Sequence, residues 1–190
     1  MSNRPSLFII LCEDKLQELF VRRFLTKGWN INGRMIRSLA YPDGSGSGEK
    51  HVRDKYPGEL KAYRSRHAST ALVVVIDADT KSVQDHHDEL DAAVRENGIP
   101  PRSVDEPVIH VIPKHHIETW LAYLDGVRSI DETFSYKPQY QFKNCESEAH
   151  NIVDKLADNC KQNNALINPP DSLKRTCIEF DRRIHPLLTN

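Results

Sequence analysis

The sequence lacks the features that mark membrane proteins, secreted proteins and zinc sites built from cysteine pairs. No apolar run approaches the roughly 20 residues that a membrane-spanning helix needs. The apolar stretch near the N-terminus is too short for a signal peptide and is followed at once by the charged pair Glu13 and Asp14. The four cysteines are far apart and form no C-x-x-C pair, which favours reduced, mostly buried thiols over zinc ligands or disulfides. We therefore expect a cytoplasmic protein that makes no contact with a membrane.

A strong net charge and a nucleotide-binding loop are also missing. The net charge is −1 for 190 residues, so any binding of nucleic acid must depend on a local site. The glycine-rich stretch GSGSGEK, residues 44–50, does not have the G-x-x-x-x-G-K-[ST] spacing of a phosphate loop and is predicted to be a mobile loop. Hydrophobic and charged residues make up 38% and 28% of the chain, which is typical of a globular protein.

Alternating strands and helices are present instead. Short apolar, β-branched runs predict strands over 6–12, 33–41, 71–77 and 107–113. Apolar residues at helical spacing, with glycine or proline stops, predict helices over 14–28, 58–67, 82–98 and 115–124. This order predicts an α/β fold with a mostly parallel sheet and helices on both faces.

The pattern weakens after residue 125. A polar loop over 126–145 leads to two further predicted helices, 146–162 and 170–185. We therefore divide the chain into an α/β domain, residues 1–125, and a small helical extension, residues 126–190, that packs on it.

Acidic residues follow three of the predicted strands. Glu13 follows the first strand, Asp77 and Asp79 close the third, and Glu118 lies in the first turn of the helix after the fourth. Because ligands of an open α/β sheet bind outside the carboxyl ends of its strands, we expect these carboxylates to converge. In an extended strand end Asp77 and Asp79 would point to the same side. Each acid alone is equally well explained as a cap or turn residue, whereas the set favours a site for Mg²⁺ or Mn²⁺.

Three motifs in these positions resemble a known family. The segments LCEDKLQELFVRRFL, VVVIDADT and IPKHHIETWL are similar to the glutamate strand, the D-x-D strand and a later helix of the topoisomerase–primase (TOPRIM) domain. The third segment resembles the nuclease branch typified by the overcoming-lysogenisation-defect nucleases. The resemblance spans residues 5–125, and it departs from the family at Asp14, where a glycine is common. A carboxylate at that position could add a metal ligand.

The resemblance implies a TOPRIM-like fold that hydrolyses phosphodiester bonds of DNA or RNA with two bound Mg²⁺ or Mn²⁺ ions. It implies metal binding by Glu13, Asp77, Asp79 and Glu118, with Glu13 also a candidate general base. It implies that Lys114, His115 or His116 contacts the scissile phosphate, and Lys114 best matches the basic position of the family. Glu13, Lys114 and Glu118 are therefore the expected catalytic residues. Nucleases of this branch often work beside an ATPase in phage defence, so a separate ATPase is the expected partner.

Basic and histidine residues elsewhere have two interpretations. Candidates for contact with a nucleic-acid backbone are Lys50, Arg64, Arg66, His116, Lys174 and Arg175. The alternative is that these side chains only form solvated helix faces. His115 and His116 are adjacent, so at most one is expected to face the carboxylates. His86 and His87 are expected on a solvated helix face.

A function of another class also fits the sequence. The chain could be a non-catalytic TOPRIM-like or receiver-like module that binds metal and a protein partner. A receiver domain would use Asp77 as phosphoacceptor and Lys114 as its lysine, but it gives Glu118 no role. The sequence leaves open DNA or RNA as substrate, endonuclease or exonuclease action, and the oligomeric state.

Overall fold

Four parallel strands form the central sheet. The computed structural model of the protein describes residues 4–41, 47–66, 68–140, 146–161 and 166–189. The strands are β1 Leu7–Cys12, β2 Ile36–Ala40, β3 Thr70–Val75 and β4 Val108–Val111. They lie in the order β2-β1-β3-β4, and every neighbouring pair is parallel. This arrangement confirms the predicted α/β fold.

Helices cover both faces of the sheet. They are α1 Lys15–Arg23, α2 Gly48–Ser65, α3 Val83–Glu96, α4 Ile117–Asp125, α5 Glu146–Lys161, α6 Asp171–Arg183 and α7 His185–Leu188. A π-helical segment, Phe24–Gly28, continues α1, and a short 3₁₀ turn, Gly33–Met35, precedes β2. Helices α2 and α3 pack on one face, and the others pack on the opposite face. Within the described parts of the chain, no helix has both the length and the apolar character needed to cross a bilayer.

Each strand supplies alternate side chains to two hydrophobic layers. In β1, Phe8 and Ile10 face α1 and the C-terminal helices, whereas Ile9 and Leu11 face α2 and α3. Burial on both faces explains why these strands are continuous apolar runs instead of alternating patterns. The C-terminal helices belong to the same layer as α1 and α4, because Phe180 of α6 is buried in that cluster. They are therefore part of the core that supports the sheet.

Helix α2 is longer than the sequence predicts. It begins at Gly48, ten residues before the predicted start, and contains Pro57. The Ser47 hydroxyl caps it by accepting the backbone N–H of Lys50. Val52, Tyr56 and Leu60 recur every fourth residue and are fully buried, which stabilises the helix across the proline.

The predicted mobile loop over 44–50 is therefore wrong for its last four residues, which cap and begin a helix. Residues 42–46 and 141–145 of two predicted loops, together with residues 67 and 162 at two predicted helix ends, lie outside the described residues.

Side chains cover the outer edge of β4. Glu179 of α6 accepts the backbone N–H of His110 at 3.3 Å, and Arg102 donates to the carbonyl of Val108 at 2.9 Å. Arg102 and Glu179 also pair with each other through two contacts of 2.5 and 2.8 Å. These contacts satisfy backbone groups that an edge strand otherwise leaves open.

The strand order places a crevice between β1 and β3. The chain runs from β1 outward to β2 and then returns past β1 to β3, so the strand order changes direction there. In open α/β sheets such a switch point, at the carboxyl ends of the strands, is where ligands bind. Glu13 follows one of these strands directly, and Asp77 follows the other after one intervening residue.

Candidate metal centre

A short hydrogen bond joins Glu13 to Asp77 across the switch point. Oε1 of Glu13 accepts the backbone N–H of Asp77 at 2.6 Å. The backbone N–H of Glu13 donates in turn to Oε1 of Gln17, a fully buried residue of α1, at 2.9 Å. The Glu13 carboxylate is therefore held between the ends of the two central strands.

The carboxyl groups of Asp77 and Glu118 are buried at this edge of the sheet. Asp77 is only 6% exposed, and its Oδ1 has no hydrogen-bond partner among the described residues. Burial raises the pKa of Asp77 well above its usual range, and the nearby carboxylates of Asp14 and Glu118 raise it further. Burial, followed by the charge of Asp77, raises the pKa of Glu13 to about 8. Burial also raises the pKa of Glu118, which is 9% exposed.

The burial of Asp77 and Glu118, the unpaired oxygen of Asp77 and the raised pKa values together indicate a site that is short of positive charge. Carboxylates that repel one another in a poorly solvated place either keep a proton or pair with a cation. A divalent cation would replace the protons and use the unpaired oxygen of Asp77 as a ligand. The oxygen-rich donor set fits a hard ion such as Mg²⁺ or Mn²⁺.

The two aspartates of the D-x-D motif are arranged differently from the prediction. Strand β3 ends at Val75, and Asp79 has a φ of 47°, in the left-handed region that non-glycine residues seldom adopt. The expectation of an extended strand end is therefore wrong. The turn nevertheless brings both side chains to His116, whose Nδ1 lies 3.2 Å from Asp79 Oδ1 and 3.5 Å from Asp77 Oδ2.

Both neighbouring histidines lie at this edge, contrary to the expectation that at most one would. The rings of His115 and His116 stack with centroids 3.9 Å apart. Asp79, His115 and His116 each place a ligand atom within 4.8 Å of the other two. Burial is the main cause that lowers the pKa of each histidine. His116 is buried, and its Nδ1 faces the aspartates. Its predicted contact with nucleic acid stays a prediction.

The four predicted metal ligands share one edge but do not form one tight group. Across the described ranges, only two sets of three or more potential ligands have atoms within 4.8 Å of one another. One is Asp79 with His115 and His116, and the other is Glu49 with His86 and Glu89. The short hydrogen bond links Glu13 to Asp77 instead, and Glu118 is close enough for its charge to raise the pKa of Asp77.

The group around His86 corrects another expectation. His86 is 2% exposed because it lies four residues before Leu90 on the buried side of α3. Glu89 is 3.4 Å from the His86 ring, and the Lys81 ammonium bridges Glu89 and Glu49 at 2.7 and 3.4 Å. This set therefore works as an ion-pair network between α2 and α3.

His87 is also not on a solvated face. Its Nδ1 lies 3.0 Å from Nδ1 of His110, whose Nε2 contacts the Tyr56 hydroxyl at 2.9 Å.

Asp14 serves first as a helix cap. Its Oδ1 accepts the backbone N–H of Gln17 at 2.9 Å and so begins α1. Its charge also raises the pKa values of Asp77 and Glu118. The Asp14 carboxylate therefore adds negative charge to the site, and its prediction as a metal ligand stays open to test.

Two lysines at this edge have different settings. The ammonium group of Lys114 donates to the carbonyl of Lys81 at 2.6 Å and ties the loop after β4 to the loop after Asp79. Lys137 is exposed, and its charge lowers the pKa values of both Asp77 and Glu118. The sequence interpretation missed Lys137, because nothing in the spacing of the polar loop indicated that it would return to the strand ends.

The predicted nucleic-acid contacts lie in separate places. Arg64 pairs with Glu106 through contacts of 2.6 and 2.9 Å, and Arg66 lies 3.4 Å from Glu59. Both arginines are at the end of α2, near the start of β3 and β4, so they occupy the edge opposite Glu13. Lys50 is exposed in the first turn of α2, and Lys174 and Arg175 are exposed on α6. Contact with nucleic acid stays a prediction for all of them.

The start of α2 packs directly against Glu13. A Cβ atom added to Gly48 would lie 2.8 Å from Cβ of Glu13 and 3.1 Å from its carbonyl oxygen. Atoms do not approach this closely, so the position accepts only glycine without a shift of the backbone. Gly48 therefore sets how closely α2 approaches the candidate metal centre.

Comparisons with known proteins add nothing to this description. A scan of protein-family models found no match to the chain. Searches of curated proteins and of solved structures also found no significant match.

Proposed function

We propose that the protein is a TOPRIM-type, metal-dependent nuclease that hydrolyses phosphodiester bonds of DNA or RNA. The observation that carries the proposal is the pairing of Glu13 with Asp77 across the switch point. There the buried Asp77 has an unpaired oxygen, and the carboxyl pKa values are raised. The resemblance of the three sequence motifs to the TOPRIM nuclease branch supports the same function.

In this proposal Glu13, Asp77 and Glu118 hold one Mg²⁺ or Mn²⁺ ion, and Asp79 contributes to a second position. The bound ions would supply an activated water and stabilise the charge on the leaving oxygen. The protein's own groups prepare the site for that chemistry. The backbone N–H of Asp77 fixes one oxygen of Glu13 and leaves the other to bind metal or to accept a proton from water.

Two lysines complete the proposed site in different ways. In this proposal the exposed Lys137, whose charge lowers the pKa values of Asp77 and Glu118, pairs with a substrate phosphate. Lys114 holds the loop after Asp79 in place through the carbonyl of Lys81. The same bond gives no support to the receiver-like alternative, which would direct the Lys114 ammonium group to a phosphorylated Asp77.

The proposal extends to the cellular setting by resemblance alone. Nucleases of the similar branch often act with an ATPase, so we propose a separate ATPase partner and a role in phage defence, in the cytoplasm.

A cleavage assay tests the proposal. Purified protein would be incubated with single-stranded and double-stranded DNA and with RNA, in Mg²⁺, in Mn²⁺ and in EDTA. We expect metal-dependent cutting that Asp77→Asn and Glu118→Gln abolish. The matched control is Asp105→Asn, an exposed acid at the opposite edge of the sheet. Cutting that continues in EDTA, or in both site variants, would refute the proposed role of these carboxylates.

A further inference from the structure

The Asp79, His115 and His116 group offers a cation a different kind of site from the carboxylates beside it. Two imidazole nitrogens and one carboxylate oxygen lie within 4.8 Å of one another. Imidazole is a ligand of borderline ions such as Zn²⁺ and Co²⁺, whereas Mg²⁺ prefers a shell of oxygen atoms. The donor types therefore differ between two neighbouring positions at one sheet edge.

A second observation indicates that this group is built to take a ligand. His116 is only 8% exposed, and its Nδ1 has no hydrogen-bond partner among the described residues. The aspartate oxygens nearby, at 3.2 and 3.5 Å, do not meet hydrogen-bond geometry with it. A buried polar atom without a partner costs stability, so a bound cation at this point would remove a cost that the fold otherwise carries.

The spacing of the group requires a small closure. With bonds of roughly 2.1 Å, neighbouring donor atoms around a tetrahedral Zn²⁺ lie about 3.4 Å apart. Asp79 can supply this movement, because its side chain is 53% exposed. His116 is fixed by burial at the start of α4 and would provide the rigid side of the site.

We propose that Asp79, His115 and His116 form a binding site for a borderline divalent cation, with Zn²⁺ or Co²⁺ bound in preference to Mg²⁺. Any part that this ion plays in cleavage rests on the proposed function, whereas the existence of the site does not. The two positions of a two-ion centre would then differ in metal preference, one with carboxylate ligands and the other with histidines.

The other group of suitable ligands is a weaker candidate. Glu49 and Glu89 already pair with the Lys81 ammonium, and the Arg53 guanidinium lies 3.6 Å from Glu89. These two positively charged side chains already pair with the carboxylates and would repel a metal ion. This group therefore serves as the internal comparison for the experiment.

The test measures binding without nucleic acid. Zn²⁺ binding would be followed by calorimetry, and Co²⁺ binding by its visible absorption, whose intensity and position report nitrogen ligands and coordination number. The variants are His115→Ala and Asp79→Ala, at the two more exposed members of the group. One control is His185→Ala, a partly exposed histidine 3.5 Å from Asp181. A second control is His86→Ala in the competing group.

We expect the wild type to bind Zn²⁺ more tightly than Mg²⁺. His115→Ala and Asp79→Ala should each weaken Zn²⁺ binding by about tenfold or more, while both control variants bind as the wild type does. Absence of Zn²⁺ and Co²⁺ binding, or binding that only His86→Ala weakens, would overturn the inference. Zn²⁺ binding in a protein that cuts no nucleic acid would support the site and count against the nuclease proposal alone.

Discussion

The carboxylate of Glu13 accepts the backbone N–H of Asp77 over 2.6 Å, although 64 positions separate the two residues in the chain. This bond joins the ends of β1 and β3 at the point where the sheet changes direction. It also brings one acid against a second acid that is almost completely buried. Such an arrangement costs stability, and a bound cation would offset that cost.

Replacing Asp77 with asparagine should stabilise the metal-free protein. The pKa of Asp77 is raised in the folded state, so the protein loses stability as the pH rises above the pKa that this aspartate has in the unfolded chain. Asparagine does not ionise and therefore avoids this loss. We expect a gain on the order of 1 kcal/mol or more in EDTA at neutral pH. In a chain of this size, each kcal/mol of added stability raises the Tm by roughly 2–4 °C, which calorimetry can measure.

The same variant should lose the response to metal. Mg²⁺ or Mn²⁺ should raise the Tm of the wild type, because a ligand that binds only the folded state stabilises it. It should leave the Tm of Asp77→Asn nearly unchanged. A variant that is less stable in EDTA and still responds to metal would show that Asp77 is a structural residue.

Substitution of Gly48 should disturb the site through Glu13. An alanine methyl would lie 2.8 Å from Glu13 Cβ, so either the start of α2 or the Glu13 backbone must move. We expect Gly48→Ala to weaken metal binding by about tenfold, since a displacement near 1 Å is large for a preorganised site. The metal-dependent change in Tm gives the measurement.

Gly58→Ala in the same helix is the matched control. Its added methyl meets no atom within 4 Å, and the position is exposed in the middle of α2. The change should stabilise the protein by up to about 1 kcal/mol and leave metal binding intact. Equal metal binding in both glycine variants would contradict the proposed dependence on the approach of α2.

The pair formed by the partly buried His87 and the buried His110 should make the protein sensitive to acid. Burial, with a further contribution from Arg102, lowers the pKa of His87 from 6.5 to about 4. Burial also lowers the pKa of His110 well below its usual value. Between pH 4 and pH 6.5, His87 binds a proton in the unfolded chain and does not bind one in the folded protein. The free energy of unfolding should therefore keep the full contribution of these histidines above about pH 6.5 and should fall as the pH decreases toward 4.

The variant His87→Gln should flatten this dependence. A shift of one pKa unit corresponds to about 1.4 kcal/mol in the free energy of unfolding. The effect of His87 should be smaller than this, because solvent screens its partly exposed side chain. The measurement is the free energy of unfolding in urea at several pH values, with His185→Gln as the control. Identical slopes for wild type and His87→Gln would rule out this histidine as a source of the acid sensitivity.

Lys137 should contribute to the binding of nucleic acid as a phosphate contact. In the cleavage-deficient Asp77→Asn background, Lys137→Ala should weaken binding to all sequences alike. The slope of log affinity against log salt should decrease by about one. Fluorescence anisotropy with labelled DNA and RNA measures both quantities. The control is Lys61→Ala, an exposed lysine on α2. If both substitutions weakened binding equally, the effect would reflect the loss of one positive charge anywhere on the protein and not a specific contact of Lys137.

The strands were predictable because their burial leaves a continuous apolar signal. The expected strands over 6–12 and 71–77 correspond to Leu7–Cys12 and Thr70–Val75. Their parallel order followed from the helices between them. The convergence of Glu13 and Asp77 was predictable for the same reason, since it depends on topology and not on side-chain detail.

The features that the sequence did not predict depend on packing between distant segments. The helix was expected over 58–67, but the buried stripe of Val52, Tyr56 and Leu60 extends it back to Gly48. The burial of His86 could have been found, since it lies four residues before Leu90. The approach of Gly48 to Glu13 and the position of Lys137 have no sequence signal, because loop paths set them.

The contacts that Arg102 and Glu179 make along β4 also constrain how this protein can assemble. A partner that binds by adding a strand to a sheet needs free backbone donors and acceptors on an outer strand. On β4 the N–H of His110 and the carbonyl of Val108 are already used, and α6 lies over that edge. Strand addition there would first have to displace a helix. A partner that adds a strand without displacing α6 would therefore have to pair with β2, the other outer strand of the sheet.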